Sequence, residues 1–299
     1  MNIRSQARAF LIQAASLVRA DALALYLQRL KRRPYGLVVA MHETPISLEA
    51  QFRDQLRSAS QYFTITNLEG FAKLWEHRRD DMASAKPPIL FTFDDGRESN
   101  YAVAAPLLES FGGRGVFFVV PAFAESATTG QALSFYRTRI NPDSKPGDEK
   151  WEDWKPMNPA QIAELADRGH AIGNHTLTHE RLIGLSPETL ELEIGESARK
   201  LASWTKKPVD AFAWTFEWSA VDPRAWAMIR RYHRYCFSPC AGVVDSRCDH
   251  PSLLWRREIE ARYSAPEMRF SLSGLVDLWW SNRRRLLRNM LRISSAENV

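Results

Sequence analysis

The run Lys86-Pro-Pro-Ile-Leu-Phe-Thr-Phe-Asp-Asp-Gly-Arg97 constrains the fold of this chain more than any other stretch. Ile89 to Phe93 is apolar and β-prone, bounded by Pro-Pro before it and Asp-Asp-Gly after it, which is the pattern of a short buried strand. Two adjacent carboxylates have no packing role at the end of such a strand. Successive strand residues face opposite sides, so Asp94 and Asp95 take different roles in one place only where the strand is just ending. Gly96 permits that turn. Taken alone, Asp-Asp-Gly also reads as an acidic cap on a strand-to-loop junction, and a second stretch far along the chain decides between the two readings.

Around this strand the pattern alternates between β and α. Gly36 to Met41 is a continuous apolar strand ending in His42-Glu43, and its uninterrupted burial points to a parallel sheet. Phe52 to Ser58 and Leu68 to His77 carry helical spacing around a short β-like piece, Tyr62 to Thr66, and Arg78 to Pro88 is a polar connector. Tyr101 to Phe111 reads as a helix and Gly115 to Pro121 as a further buried strand, so the order is that of an α/β sheet. Ala122 to Pro156 reads as a long loop, with Trp151 and Trp154 as candidates for substrate contact. Asn158-Pro-Ala-Gln161 then carries a helix cap, with Pro at the first helical position and Gln at the capping-box position. That helix ends near Gly169, a strand follows at His170 to Gly173, and Ser186-Pro187 opens another helix running to about Trp204.

The strand at His170 to Gly173 leads into Asn174-His-Thr-Leu-Thr-His-Glu180. On a helical turn the four-residue separation of His175 and His179 places both imidazoles on one face, able to grip one cation while leaving other positions open. A carboxylate from elsewhere completes a two-histidine, one-acid set suited to zinc or a harder first-row ion. His-x-x-x-His alone is also compatible with structural histidines. Paired with Asp-Asp-Gly at another strand end, it points to a site at the C-terminal face of a sheet.

These residues resemble a known family, the polysaccharide deacetylases, carbohydrate esterases that include chitin, peptidoglycan and nodulation-factor deacetylases. Phe91-Thr-Phe-Asp-Asp-Gly96 is similar to the family's first motif and His175-Thr-Leu-Thr-His179 to its second. Val39-Ala-Met-His42 resembles the opening strand of the biosynthetic, surface-glycan branch, Gly115-Val-Phe-Phe118 the strand after the first motif, and Asp210-Ala-Phe-Ala213 the third-motif strand. The likeness covers residues 36 to 260. It implies a distorted, incomplete (β/α) barrel in which Asp95, His175 and His179 hold a divalent metal and Asp94 is the catalytic base. Zinc is the first choice of ion, with cobalt, nickel or manganese also suited.

The chain departs from the family in two places. Where relatives carry Pro-Tyr-Gly, with a backbone amide in the oxyanion hole, this chain has Trp214-Thr-Phe-Glu217. Phe216 can supply the same backbone donor, while Glu217 adds a side chain where substrate lies, so Trp214, Phe216, Glu217 and Arg97 form the candidate oxyanion and substrate group. The late Leu-x-His that carries the general acid is missing. His250, in Cys248-Asp-His250, and His42, at the end of the first strand, are the two candidates for that role.

Composition limits the remaining readings. Forty basic against 35 acidic residues give a net charge of +5, but the positive charge gathers at the ends and no nucleic-acid recognition motif appears, so no nucleic-acid partner is expected. Cys236, Cys240 and Cys248 cannot all pair within one chain and lack a tight metal-knuckle spacing, which favours buried thiols, a reducing compartment and a cytoplasmic location. Trp214, Trp218 and Trp226 read as core aromatics or as the wall of a sugar groove. The apolar stretch Ala9 to Val18 is interrupted by Arg19 and Asp21, too soon for a membrane-spanning helix, although Ala14-Ala15-Ser16 leaves a secretory reading open.

The expected organisation is a basic amphipathic helix over 1–33, a catalytic barrel over 34–262, and a basic, aromatic helical tail over 263–299 in which Trp279-Trp280 accompany Arg283, Arg284, Arg285 and Arg288. Both ends suit peripheral association with the inner face of a membrane, or helices packed on the barrel. The resemblance implies a metal-dependent hydrolase that removes an N-acetyl group from a sugar of a surface polysaccharide or its lipid-linked precursor. Deformylation or other C–N hydrolysis on a sugar, and a degenerate glycan-binding protein, are the alternatives.

Overall fold

All seven residues of Tyr35–Met41 are buried as strand β1 in the computed structural model, which describes residues 35–75, 86–143, 154–246, 249–250, 252–275 and 277–291. The N-terminal segment, Trp151 and Cys248 lie outside the described residues. Continuous burial requires both faces of the strand to be covered, and the sheet order supplies the cover. After β1 come helix α1 (Glu49–Tyr62), β2 (Thr64–Ile65), α2 (Leu68–Ala72) and the central strand β3 (Pro88–Phe93). A π-helical turn leads into α3 (Ala105–Ser110), followed by β4 (Val116–Val119).

Strands β1, β3, β4, β5 (Ala171–Asn174), β6 (Ala211–Ala213) and β7 (Tyr235–Ser238) run parallel in that spatial order. β8 (Val244–Asp245) is a short antiparallel partner of β1. One stretch of chain then joins the two edges. Its first part, β9 (Leu253–Trp255), pairs with β7, and its second, β10 (Arg257–Glu258), pairs with β1, with Arg256 at the break. The sheet is thus a distorted barrel of seven parallel positions, one short of a full (β/α) barrel.

Side-chain alternation divides the core. Ile89, Phe91 and Phe93 face the helices, where the Phe52 ring of α1 meets Phe91 and Phe93 edge-on at 6.1 and 6.3 Å. Phe93 stacks on Phe117 of β4 at 4.9 Å. Truncating such a buried ring to Ala costs about 3–5 kcal/mol. On the other face, Phe118 of β4 meets Phe237 of the non-adjacent β7 at 5.0 Å, a contact across the barrel interior. Leu90 and Thr92 share that inner face, and so does the position that follows them, Asp94.

Two local readings are corrected. Residues 122–156 are not a long loop: among the described residues they include the end of α4 (Pro121–Ala124), α5 (Thr129–Phe135) and a π-helical turn over Tyr136–Ile140. Ala132, Tyr136 and Ile140, four positions apart, gather with Val120, Phe123 and Trp154 into a small separate core, and the surrounding Ser, Thr and Gly residues hid that periodicity. Trp154 is buried and stacked on Tyr136 at 5.2 Å, so it builds this core instead of standing exposed on a loop. The helix α6 (Pro159–Asp167) begins as expected, with Gln161 N–H donating to Asn158 Oδ1 at 3.0 Å and Asn158 N–H donating to Gln161 Oε1 at 2.9 Å.

Helices α7 (Pro187–Leu190) and α8 (Ser197–Thr205) are joined by a π-helical turn, and α9 (Pro223–Tyr232) packs on that turn and on β7. Two further helices follow, α10 (Ala265–Leu272) and α11 (Asp277–Met290). α11 packs against the barrel through a buried pair between Arg257 and Asp277 at 2.6 Å and through an ion pair between Arg288 and Asp249. Among the described residues no helix is long and apolar enough to cross a membrane.

Candidate active site

Asp94 continues the inner face of β3, and its N–H still donates to Met41 O of β1 at 2.8 Å. By alternation Asp95 would point away from Asp94. A left-handed backbone at Asp95 (φ 70°), continued by Gly96 (φ 73°), turns it back, so both carboxylates line one cavity of about 520 Å³ at the C-terminal end of the barrel. A Cβ on Gly96 would lie 3.3 Å from Val119 Cγ1, so the turn is closed against β4 as well.

The two histidines enter from the loop after β5, and here a further expectation is corrected. His175 and His179 are not on a helical turn; Thr176 (φ 64°) and His179 (φ 59°) take left-handed conformations in an irregular loop. Buried side chains fix that loop. Asn174 Oδ1 accepts from Thr176 N–H at 3.0 Å and from Ser197 Oγ at 2.7 Å, while Glu193 accepts from Thr178 N–H at 2.9 Å and Thr178 Oγ1 at 2.8 Å. Non-glycine residues with positive φ cost of order 1–3 kcal/mol each and persist only where the surroundings over-determine them.

The resulting geometry is that of a cation site. Asp95 Oδ1 lies 3.7 Å from His175 Nε2 and 3.6 Å from His179 Nε2. These separations are too long for hydrogen bonds and close to the spacing of donors that share one ion about 2.1 Å away. Each imidazole is held from behind. His175 Nδ1 donates to Ala213 O at 3.0 Å and His179 Nδ1 donates to Arg139 O at 2.7 Å. A carbonyl can only accept, so both rings carry the proton on Nδ1 and present a lone pair at Nε2. Burial pushes the His175 imidazole down to about 4, against the opposing pull of Asp94, which keeps it neutral at physiological pH. Two imidazole nitrogens and one carboxylate, all buried and within 4.8 Å of one another, fit a divalent zinc-type ion.

Each aspartate has its own guanidinium. Burial would raise the Asp95 carboxyl, but the neighbouring Arg97, His42, His179 and His175, Arg97 first among them, together outweigh it and hold the carboxyl well below the usual carboxylate range. Arg97 donates through Nη2 and Nε to Asp95 Oδ2 at 2.8 and 3.1 Å, leaving Oδ1 for the histidines. Arg97 thus lines the cavity as the partner of Asp95, with Glu43 on its far side at 2.5 Å, rather than as an oxyanion donor. Asp94 is likewise lowered: burial raises it, and Arg256, His175 and His42 together prevail, with Arg256 Nη1 donating to Asp94 Oδ1 at 2.6 Å. Arg256 was not singled out from the sequence. Its signal is the apolar run Leu253-Leu254-Trp255 ending in two arginines, the basic counterpart of the strand that ends in Asp94-Asp95.

The rest of the wall mixes expected and unexpected residues. His42 lines the cavity, partly exposed, with Nδ1 3.7 Å from Glu258. His250 does not: it precedes β9, at the N-terminal end of the barrel strands, opposite the carboxylates, where its Nδ1 accepts from Ser252 N–H at 3.1 Å. The expectation of His250 as general acid is therefore corrected by strand polarity. Trp214 is buried and its body lines the cavity, while Trp280 of α11 closes another side. Phe216 takes φ 61°, its ring 4.7 Å from that of His179 and 4.2 Å beneath the Arg181 guanidinium. Glu217 is drawn aside by Arg181 at 2.7 Å, whose hydrogen bond lowers its carboxyl to about 2.

Comparison with known proteins agrees with this arrangement. The polysaccharide deacetylase family matches residues 81–230, half of the chain, a span containing both aspartates and both histidines. YxkH of Bacillus subtilis (strain 168), whose name describes a polysaccharide deacetylase, is 25% identical over 138 residues, 46% of this chain and 38% of that relative's own length. Streptococcus pyogenes deacetylase PplD, solved with acetate, superposes with a TM-score of 0.59 at 15% identity, covering 78% of this chain and 96% of its own. IcaB from Ammonifex degensii gives 0.56 at 18% identity over 79% and 97%, and the BpsB deacetylase domain from Bordetella bronchiseptica 0.54 at 18% over 76% and 96%. At such identities the superpositions speak for the fold. Taken with the match across half its length, they lead to one assignment: this chain belongs to the polysaccharide deacetylase family.

Proposed function

We propose that this protein is a metal-dependent N-deacetylase acting on an N-acetylated sugar of a surface polysaccharide or its lipid-linked precursor. The observation that carries the reading is the convergence of His175 Nε2 and His179 Nε2 on Asp95 Oδ1, with both Nδ1 atoms committed to backbone carbonyls. When bound, a divalent ion supplies Lewis acidity, making water nucleophilic near neutral pH and polarising an amide carbonyl.

The chain's own groups divide the remaining work. Asp94, ionised and pinned by Arg256, accepts the proton of the attacking water. Arg256 keeps the carboxylate from turning toward the ligand set of Asp95. The left-handed turn at Phe216 presents backbone at the cavity wall, where an N–H can meet the charge that develops on the carbonyl oxygen. His42, on the opposite rim and close enough for its charge to act on both aspartates, delivers a proton to the leaving amine. With Glu217 held by Arg181, the mouth beside Phe216 stays open to a sugar.

The test is acetate release from N-acetylglucosamine oligomers by the purified full chain, before and after chelation and re-addition of zinc or cobalt. Release that disappears on chelation and returns with metal supports the reading. Formate release from an N-formyl sugar without acetate release points instead to a deformylase.

A further inference from the structure

Among the described residues, four of the seven large exposed apolar side chains, Leu275, Trp279, Leu286 and Met290, fall in one stretch at the end of the chain. Three of them lie on α11 at positions 279, 286 and 290. At 3.6 residues per turn these share an arc of about 40°. A second face, beginning about 80° around the helix from the middle of the stripe, is occupied: Leu287 and Leu291 are buried in the core, Arg284 donates to Ala241 O and Asp277 O, and Arg288 pairs with Asp249. The apolar stripe is thus separate from the contacts that hold α11 to the barrel. Trp279, three-quarters exposed, precedes Trp280, which lines the catalytic cavity, so the first turn of α11 carries both the start of the stripe and one wall of the site.

Arg283 and Arg285 are exposed on this helix, and the tail carries no acidic residue between Asp277 and Met290. A tryptophan, aliphatic side chains and flanking arginines on one amphipathic helix suit the boundary between headgroups and acyl chains of an anionic bilayer. Sugars stack on aromatic faces, but Leu286 and Met290 offer no such face, so a lipid surface accounts for the whole stripe where a glycan platform accounts for Trp279 alone. We propose that the exposed face of α11 docks the protein on an anionic membrane surface and sets the mouth of the catalytic cavity against it. Docking itself does not depend on the deacetylase reading; that reading adds that the acetylated sugar is presented from a lipid anchor.

The test is co-sedimentation of the full chain with phosphatidylglycerol vesicles and with phosphatidylcholine vesicles, run beside acetate release from a soluble N-acetylglucosamine oligomer. The expected result is binding to the anionic vesicles, weakened by salt. Trp279→Ser with Leu286→Ser lowers that binding at least tenfold, Arg285→Ala lowers it about fivefold, and both variants leave acetate release from the soluble oligomer unchanged. Failure of the wild-type chain to sediment, equal sedimentation with both lipids, or undiminished binding of the variants would overturn the proposal, the last by placing membrane contact in the first 33 residues. A Trp279→Ser variant with raised KM on long soluble oligomers and normal vesicle binding also overturns it, in favour of a glycan platform. Loss of acetate release in the wild-type chain bears on the catalytic reading and leaves docking to the vesicle result.

Discussion

Arg256 and Asp94, 162 positions apart in the chain, meet at 2.6 Å inside the barrel, each side chain nearly fully buried. The stretch that closes the barrel between β9 and β10 is therefore also the one that positions the proposed base. Removing one partner of such a pair leaves a buried charge uncompensated. Arg256→Ala is expected to destabilise the fold by about 3–5 kcal/mol in urea titrations. Asp94→Asn should lower kcat by roughly 10²–10⁴-fold while leaving metal content intact.

Arg256→Lys separates structure from chemistry. It retains a cation but loses the fixed fork, so Asp94 should titrate higher and the acidic limb of the kcat/KM profile should move to higher pH. An unshifted limb with reduced kcat would assign Arg256 to packing alone.

Arg97 acts on the ligand set rather than on substrate. Arg97→Met should weaken zinc binding by about 10–100-fold, measured by chelator competition, because Asp95 Oδ2 loses its partner and Oδ1 its fixed aim. A raised KM with unchanged metal affinity would show that Arg97 contacts substrate instead.

The two histidines considered for proton delivery give opposite expectations. His42→Gln should reduce kcat by about 10²–10⁴-fold while leaving the bound metal in place. His250→Gln should leave kcat near the wild-type value, because His250 sits at the other end of the strands.

Burial holds His170, His175 and His233 at about 4, below the ordinary 6.5. The unfolded chain therefore binds more protons between these values, so stability is fully present above about pH 6.5 and falls as pH drops toward 4. For three such groups the full loss is on the order of 10 kcal/mol. Metal-free protein should show a plateau in urea midpoint above neutrality and a decline across that window. A midpoint independent of pH between 4 and 6.5 would show that these imidazoles are solvated.

The strand delivering Asp94 and Asp95 is legible because a short β-prone run, apolar but for Thr92, ends abruptly in charge, and the Asn158 cap because capping is a local chemistry. The convergence of His175 with His179 has a different cause from the one their spacing implies: left-handed residues and the buried Asn174 and Glu193 shape that loop, and none of this has a periodic signature. Backbone carbonyls of Ala213 and Arg139 choose the imidazole tautomers, and any residue type supplies a carbonyl. His250 resembles a late general acid in sequence position, yet strand polarity places it at the wrong end. Arg256 could have been found by treating Leu253 to Arg257 as Ile89 to Asp95 was treated, as a buried strand that ends in charge.

Metal content of the purified full chain, measured alongside that of Asp95→Ala, tests the central claim most directly. The expected result is one divalent ion per wild-type chain after zinc loading and dialysis, and none in Asp95→Ala, with acetate release following the ion. A stoichiometric ion retained by Asp95→Ala, or full acetate release from wild-type protein stripped of metal, would contradict it.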